Sequence, residues 1–379
     1  MKRRIILAIL IILIILMLTG CTSKTKNKEI KKYIEDTSIS ESIFKDSYKK
    51  ASKLVTNMTI EEKIAQLFLV SYDKYYTIKY TETPPGGYLL FSKDIENHTK
   101  ESMKEELTTA TSKSKYPLIF AVDEEGGFVT RVSRFQEFRE EKFKSPRSYY
   151  EEGGESLLKE TETEKAKLLK SIGVNLNLAP VADVSTNEND FINNRTFGRN
   201  ATETSELIKK MVEYANENEI NSCLKHFPGY GNNEDTHTGI AIDNRNYKEL
   251  IENDYLPFKA GIEAKVPCVL VSHNVINSID SEYPASLSGK VIYELRNNLN
   301  FTGIIITDDL SMDAVKNYVE DGNAATLAIQ SGNDMIITSS FEKMYNEVLN
   351  SYKEGIISEE TINKAVLRII AWKYESDLF

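Results

Sequence analysis

Gly303-Ile304-Ile305-Ile306-Thr307-Asp308-Asp309-Leu310-Ser311-Met312 is a short apolar run that stops at two carboxylates. Its length and β-branched content are those of a strand buried on both faces. A helical pattern, Ala314–Gln330, follows it. The same unit recurs along the chain. Strands are expected at Gly87–Phe91, Leu118–Val122, Val174–Leu178, Ser222–Leu224, Cys268–Ser272, Gly303–Thr307 and Met335–Thr338. Helical periods lie between several of them, at Thr204–Asn218, Tyr247–Ala264 and Ser288–Leu299, with Phe341–Lys353 and Ser358–Tyr374 as closing helices. Thr59 and Glu62 have the spacing of a capping box, opening a helix whose apolar face is Ile60, Ile64, Leu67 and Phe68. Buried strands alternating with amphipathic helices predict an α/β fold, a (β/α)8 TIM-type barrel in one domain. An open doubly wound sheet is the alternative. No internal repeat or long linker divides the chain.

In a barrel of this kind, chemistry collects at the carboxyl ends of the strands. The polar residues that end the apolar runs fall into line with that rule. Asp123 follows Leu118–Val122, and Asn177 and Asp183 lie in or just after Val174–Leu178. Lys225 and His226 follow Ser222–Leu224, His273 follows Cys268–Ser272, and Asp308 follows Gly303–Thr307. Five strands that end in this way point to a common mouth.

Two of the chain's four histidines fall within Lys225-His226-Phe227-Pro228-Gly229-Tyr230-Gly231-Asn232-Asn233-Glu234-Asp235-Thr236-His237-Thr238-Gly239. Pro228, Gly229 and Gly231 break the strand, so Asp235 and His237 ride on the loop beyond it. A carboxylate two residues from a histidine can fix the ring's tautomer and support its charged form, which suits a general acid/base. A solvated surface pair is the plain alternative. A zinc site is another, but no third strong ligand follows at a metal-site spacing, so no metal is expected. Displacement at a sugar carbon needs an ionised carboxylate on one face and a proton donor on the other. Asp308 suits the first task, while Asp309, nearer the turn, suits helix capping. Asp123-Glu124-Glu125-Gly126-Gly127-Phe128-Val129-Thr130-Arg131 puts a carboxylate and an arginine around a tight turn, and Asn194-Arg195-Thr196-Phe197-Gly198 supplies a second arginine. Such groups can hold sugar hydroxyls, although exposed arginines are mostly solvated.

The N-terminus reads as a processing signal. Lys2, Arg3 and Arg4 precede the apolar run Ile5–Leu18, which is short for a membrane span and right for a signal-peptide core. It ends in Leu18-Thr19-Gly20-Cys21, which resembles a bacterial lipoprotein cleavage site. Residues 1–20 would then be the signal, Cys21 the lipidated residue, 21–50 a polar tether and 51–379 the barrel. Cys223 and Cys268 lie in apolar runs and are expected as buried free thiols. A net charge of −10 and a pI near 5.2 argue against a nucleic-acid partner.

Taken together, Lys225 to Gly229, Asp235 to His237, Asp123 to Gly127 and Ile306 to Met312 resemble glycoside hydrolase family 3, in its β-N-acetylglucosaminidase branch. Ala179-Pro180-Val181-Ala182-Asp183-Val184 and Tyr283-Pro284-Ala285-Ser286-Leu287-Ser288 match in the right order, and the similarity runs from about Thr59 to Ala371. The resemblance implies Asp308 as the nucleophile, His237 as acid/base oriented by Asp235, and Asp123, Arg131, Arg195, Lys225 and His226 as ligands of the terminal sugar. It implies no cofactor. Tyr230, Phe128 and Thr236 depart from the branch's usual histidine, arginine and serine. The expected activity is retaining, exo-acting release of N-acetylglucosamine from cell-wall-derived glycans. The enzyme would be a monomer, held by its lipid anchor on the outer face of a bacterial membrane. A β-glucosidase, a phosphorylase of the same family, and a non-catalytic sugar-binding lipoprotein are the alternatives.

Overall fold

The computed structural model describes residues 42–233, 241–312, 315, 318–319 and 323–379. Among the described residues, eight parallel strands form the main sheet: β1 (Phe68–Ser71), β2 (Gly87–Leu90), β3 (Ile119–Val122), β4 (Leu176–Asn177), β5 (Asn221–Phe227), β6 (Cys268–Val271), β7 (Ile304–Thr307) and β8 (Ile336–Thr338). Neighbours in space are neighbours in sequence, and β8 pairs with β1 through Phe68–Ile336, Leu69–Ile337 and Val70–Thr338. The last seam, β7 to β8, closes through the Ile306–Met335 bridge, with Thr307 N donating to Met335 O at 3.1 Å. This is the expected (β/α)8 architecture.

Seven of the eight strands fall on the expected runs. The eighth, β1, does not. Phe68 was expected on the apolar face of the helix opened by Thr59, but that helix ends at Gln66 and Phe68 begins a strand. The capping box itself is present: Thr59 Oγ1 accepts from Glu62 N at 3.3 Å, and Glu62 Oε2 accepts from Thr59 N at 2.7 Å. Leu67 and Phe68 keep the helical spacing from Ile60 and Ile64 past Gln66, so periodicity carries the helix too far.

The outer helices bury their apolar faces against the strands. The helix Ala201–Glu217 turns Leu207, Ile208, Met211 and Val212 inward, and Asn200 caps its start by accepting from Glu203 N. Two helices contain single π turns, at Leu250–Asp254 and Glu294–Asn298. The stretch 42–50, expected to end the tether, instead packs: Phe44 and Tyr48 belong to the core. The apolar surface they bury outweighs the polar residues between them. Cys223 and Cys268 are free, buried and paired in register across β5 and β6.

The amino-terminal end of the barrel is tied down by the final helix, Glu359–Glu375. Trp372 Nε1 donates to Asn221 Oδ1 at 2.8 Å, and Lys373 Nζ donates to Gln66 Oε1 and Pro117 O at 2.7 and 2.6 Å. Beside them Arg368 and Arg296 share the carboxylate of Asp334. The opposite end is left for the long loops after β3, β4 and β5.

Candidate active site

The tip of β3 carries three consecutive carboxylates with different surroundings. Asn177, at the end of β4, braces their backbone: its Oδ1 accepts from Glu124 N at 3.0 Å, and its Nδ2 donates to Glu124 O at 3.1 Å. Glu124 is fully buried and turns away from the mouth. Its carboxylate accepts from the backbone N–H groups of Arg131, Val132 and Ser133 and from Ser133 Oγ. It thereby fixes the return path of the turn. Gly126 (φ +98°) and Gly127 (φ +66°) make that turn possible, since a Cβ on Gly126 would lie 2.3 Å from Lys144 O.

Glu125 points the other way, into a cluster of opposite charge. Its Oε1 lies 2.5 Å from Lys225 Nζ and 2.7 Å from Arg195 Nη2, and Oε2 accepts from Arg195 Nε at 3.0 Å. Lys225 also donates to Asp123 Oδ1 at 2.6 Å. Burial pushes the Glu125 carboxyl up, but the charges of Lys225 and Arg195 prevail and bring it down to about 2. Burial likewise opposes the Lys225 ammonium, and Asp123 with Glu125 outweighs that and raises it. Glu125 and Lys225 are therefore held ionised, and Asp123 reaches partway to solvent.

His226 extends the cluster. Its Nδ1 lies 2.7 Å from Asp183 Oδ2, and its Nε2 lies 3.1 Å from Arg195 Nη2. A guanidinium can only donate, so Nε2 accepts and Nδ1–H donates to Asp183, a tautomer assigned from this network. Asp183 also accepts from the backbone N–H groups of His226 and Tyr230, at 3.1 and 2.7 Å. Four of the five expected sugar ligands, Asp123, Arg195, Lys225 and His226, thus meet in one network. The fifth, Arg131, stands beside it with its guanidinium over the Phe91 ring, 5.9 Å from the centroid.

Asp308 lies at the tip of β7, four strands around the barrel from Asp123. Asp308 N donates to Val271 O, and its Oδ1 accepts from Asp309 N at 2.8 Å. Asp309 Oδ1 accepts from Ser311 N at 2.8 Å, an Asx turn just after the strand. Burial pushes its carboxyl up, and the negative charge of Asp308 adds to that. His273, at the end of β6, does not open into the mouth as a strand-tip ligand would. It is fully buried, with Nε2 donating to Asp309 O at 3.0 Å and Nδ1 2.7 Å from Ser286 Oγ, and it braces the turn behind Asp308.

Asp235 and His237 lie outside the described residues, as does Glu234. The two described ends of their loop are joined by Arg245. Its guanidinium donates to Asp243, to both oxygens of Asp254 at 2.8 Å, and to Gly229 O at 3.3 Å. Burial pushes Asp254 up to about 6 in spite of the arginine. Gly229 (φ +121°) admits this close approach, as a Cβ there would lie 2.4 Å from Asp254 Oδ1. The Arg245 clamp and the bridging role of Glu125 are not evident in the sequence. The one sequence signal for Glu125 is the Gly126-Gly127 pair behind it, which marks a turn that needs rigid support.

The comparisons with known proteins agree with this layout. Residues 59–372 match the glycosyl hydrolase family 3 N-terminal domain. A β-hexosaminidase of Nitrosomonas eutropha is 31% identical over 70% of this chain and 77% of its own length. β-Hexosaminidase A of Pseudoalteromonas piscicida is 28% identical over 76% of this chain, a match that spans 53% of that relative. Among solved structures, a family 3 β-N-acetylglucosaminidase from Paenibacillus superposes with a TM-score of 0.78 at 24% identity, over 85% of this chain and 63% of the other. A β-glucoside phosphorylase superposes with a TM-score of 0.79 at 22% identity, over 90% and 63% of the two chains. The barrel is therefore shared with both. With the family domain matched over most of its length, the chain belongs to glycosyl hydrolase family 3, a family of glycoside-cleaving enzymes.

Proposed function

We propose that this protein is a retaining, exo-acting β-N-acetylglucosaminidase. The observation that carries the reading is the ion-paired cluster of Glu125, Lys225, Arg195 and Asp123 facing Asp308 across one barrel mouth. Such a cluster offers fixed hydrogen-bond donors and acceptors to the hydroxyls of one terminal sugar, with Arg131 and His226 at its edges. Burying that much charge is costly, and a polar ligand is what it suits. The β-hexosaminidase relatives support N-acetylglucosamine as that sugar.

Asp308 acts as nucleophile. Its carboxylate attacks C1 as the C1–O bond to the leaving group breaks, and His237, oriented by Asp235, gives its proton to the departing oxygen. Water then attacks C1 of the glycosyl-enzyme, His237 takes the water's proton, and Asp308 leaves as carboxylate. Two inversions retain the β configuration. The Leu18-Thr19-Gly20-Cys21 site supports lipid anchoring at Cys21, on the extracytoplasmic face of the membrane. That location favours cell-wall-derived glycans as the source of substrate.

Turnover of nitrophenyl N-acetylglucosaminide against nitrophenyl glucoside, by wild type and by Asp308→Asn, tests the reading. Wild type should prefer the N-acetyl sugar, and the nearly isosteric variant should lose several powers of ten while staying folded. A variant retaining more than about a hundredth of the rate refutes Asp308 as nucleophile. The same assay run with and without phosphate separates hydrolysis from phosphorolysis, since a sugar 1-phosphate forms only in the second.

A further inference from the structure

We infer that Phe191, backed by Tyr230, and Phe128, on the neighbouring loop, form an aromatic subsite for the leaving-group side of the substrate, and that it takes the apolar face of a second sugar ring. The inference rests on the glycosidase reading above and extends it to the aglycone.

Three rings lead from the site to the surface. The His226 ring meets Tyr230 edge-on at 5.1 Å between centroids, and Tyr230 meets Phe191 at 5.9 Å. Tyr230 is buried, whereas Phe191 leaves 41% of its surface in solvent. The exposure of Phe191 does not come from a loose loop. Its neighbour Ile192 is buried against Val181 and Tyr230. On its other side, Asp190 accepts from Ser185 Oγ at 2.7 Å and from Asn187 Nδ2 at 2.9 Å. Asn193 closes the segment by donating to Ser185 O at 3.1 Å. The backbone is thus fixed on both sides of a side chain that stays exposed.

Phe128 is presented in the same manner. It is 76% exposed at the tip of the turn after β3. Gly126 N donates to Val129 O at 3.0 Å and Gly127 N to Phe143 O at 2.8 Å, with Glu124 fixing the return strand. β3 and β4 are adjacent, so the two phenylalanines rise from neighbouring loops on the side of the mouth that holds Asp123, Glu125 and Arg195. Two rigidly held, exposed aromatic rings beside a site for a polar ring are more than scattered surface apolarity. A pyranose in the β configuration presents C–H groups on its faces and hydroxyls at its edge. The charged cluster answers the hydroxyls of the terminal sugar, and the aromatic rings answer the C–H face of the next.

The test compares two substrates on Phe191→Ala, Phe128→Ala and the double variant. One is an N-acetylglucosaminyl disaccharide, which has a second ring. The other is the corresponding glycosyl fluoride, which has a good leaving group and no aglycone. Inhibition by free N-acetylglucosamine is followed alongside. Each single variant should raise KM for the disaccharide roughly 2- to 12-fold, the range of one aromatic contact. Its effect on the fluoride and on inhibition should stay within about twofold, and Phe191→Trp should restore the disaccharide KM. Equal losses on both substrates would assign Phe191 a structural role and overturn the inference. So would unchanged disaccharide kinetics accompanied by weaker binding to lipid vesicles or insoluble cell wall, which would make the rings a surface-docking patch. If wild type turns over neither substrate, the glycosidase reading itself fails, an outcome distinct from both.

Discussion

Replacing Glu125 by Gln removes, at nearly constant volume, a carboxylate that both Lys225 and Arg195 contact. The magnitude follows from its ionisation. The carboxyl falls from an ordinary 4.5 to about 2 on folding, which corresponds to about 3 kcal/mol at 1.36 kcal/mol per pH unit. Leaving a buried cation without its partner costs about 3–5 kcal/mol in measured cases, which agrees. Glu125→Gln should therefore lose about 3 kcal/mol at pH 7 in urea unfolding. The pH dependence has a definite sign. A carboxyl depressed by folding stabilises the native state above its unfolded value and loses that contribution as pH falls toward the folded one. The difference between wild type and variant should be constant from pH 7 to about 5. It should shrink to about 1 kcal/mol by pH 3, where the unfolded chain is largely protonated and the folded chain is not. A loss under about 1 kcal/mol at pH 7, or a difference that does not narrow toward pH 3, would refute the view that this charge cluster is coupled through Glu125.

Three other outcomes are expected. His237→Ala should show a burst with a nitrophenyl substrate and a much larger loss with a sugar aglycone, while Glu234→Gln behaves nearly as wild type; the reverse pattern makes Glu234 the acid/base. Cys21→Ala should release the protein from membranes or leave it as uncleaved precursor, and unchanged fractionation and gel mobility would count against lipidation. Burial brings Lys373 down to about 7, so between pH 7 and about 10 the unfolded chain holds a proton that the folded chain lacks, and stability rises with pH by up to about 1.4 kcal/mol per unit. Lys373→Met should remove that part of the slope, and identical slopes for wild type and variant in urea unfolding at pH 7 to 9.5 would show that the ammonium stays charged.

The parts of this molecule that sequence reveals are those where one residue type is out of place in its run. A carboxylate or lysine that interrupts a buried apolar strand is such a case: Asp123 and Asp308 follow their strands as expected, while Lys225 lies within the last three residues of β5, which runs on to Phe227. Three features escape because nothing local marks them. Strand β1 continues the apolar run of the helix before it, so Leu69 and Val70 carry no boundary. The π turns at Leu250–Asp254 and Glu294–Asn298 shift the phase of a helix without any change of composition. The Arg245 clamp joins residues that each look like ordinary surface charges, and it exists because the loop brings Asp243 and Asp254 to one guanidinium.

Glu124 and Glu125 show where the boundary lies. They are chemically identical neighbours at the end of one strand, and alternation sends their side chains to opposite sides. Alternation does not say which side is which. The choice is made by partners far away in sequence: three backbone N–H groups at 131–133 take Glu124, and Lys225 with Arg195 takes Glu125. Each arrangement needs the other. The Glu124 bonds fix the turn that brings Arg131 back beside the mouth, and the glycines in that turn leave Glu125 free to face the cations. Turning both carboxylates to one side would leave either the N–H groups at 131–133 or the two buried cations without a partner, which is why a single strand tip can serve both the frame of the mouth and its charge.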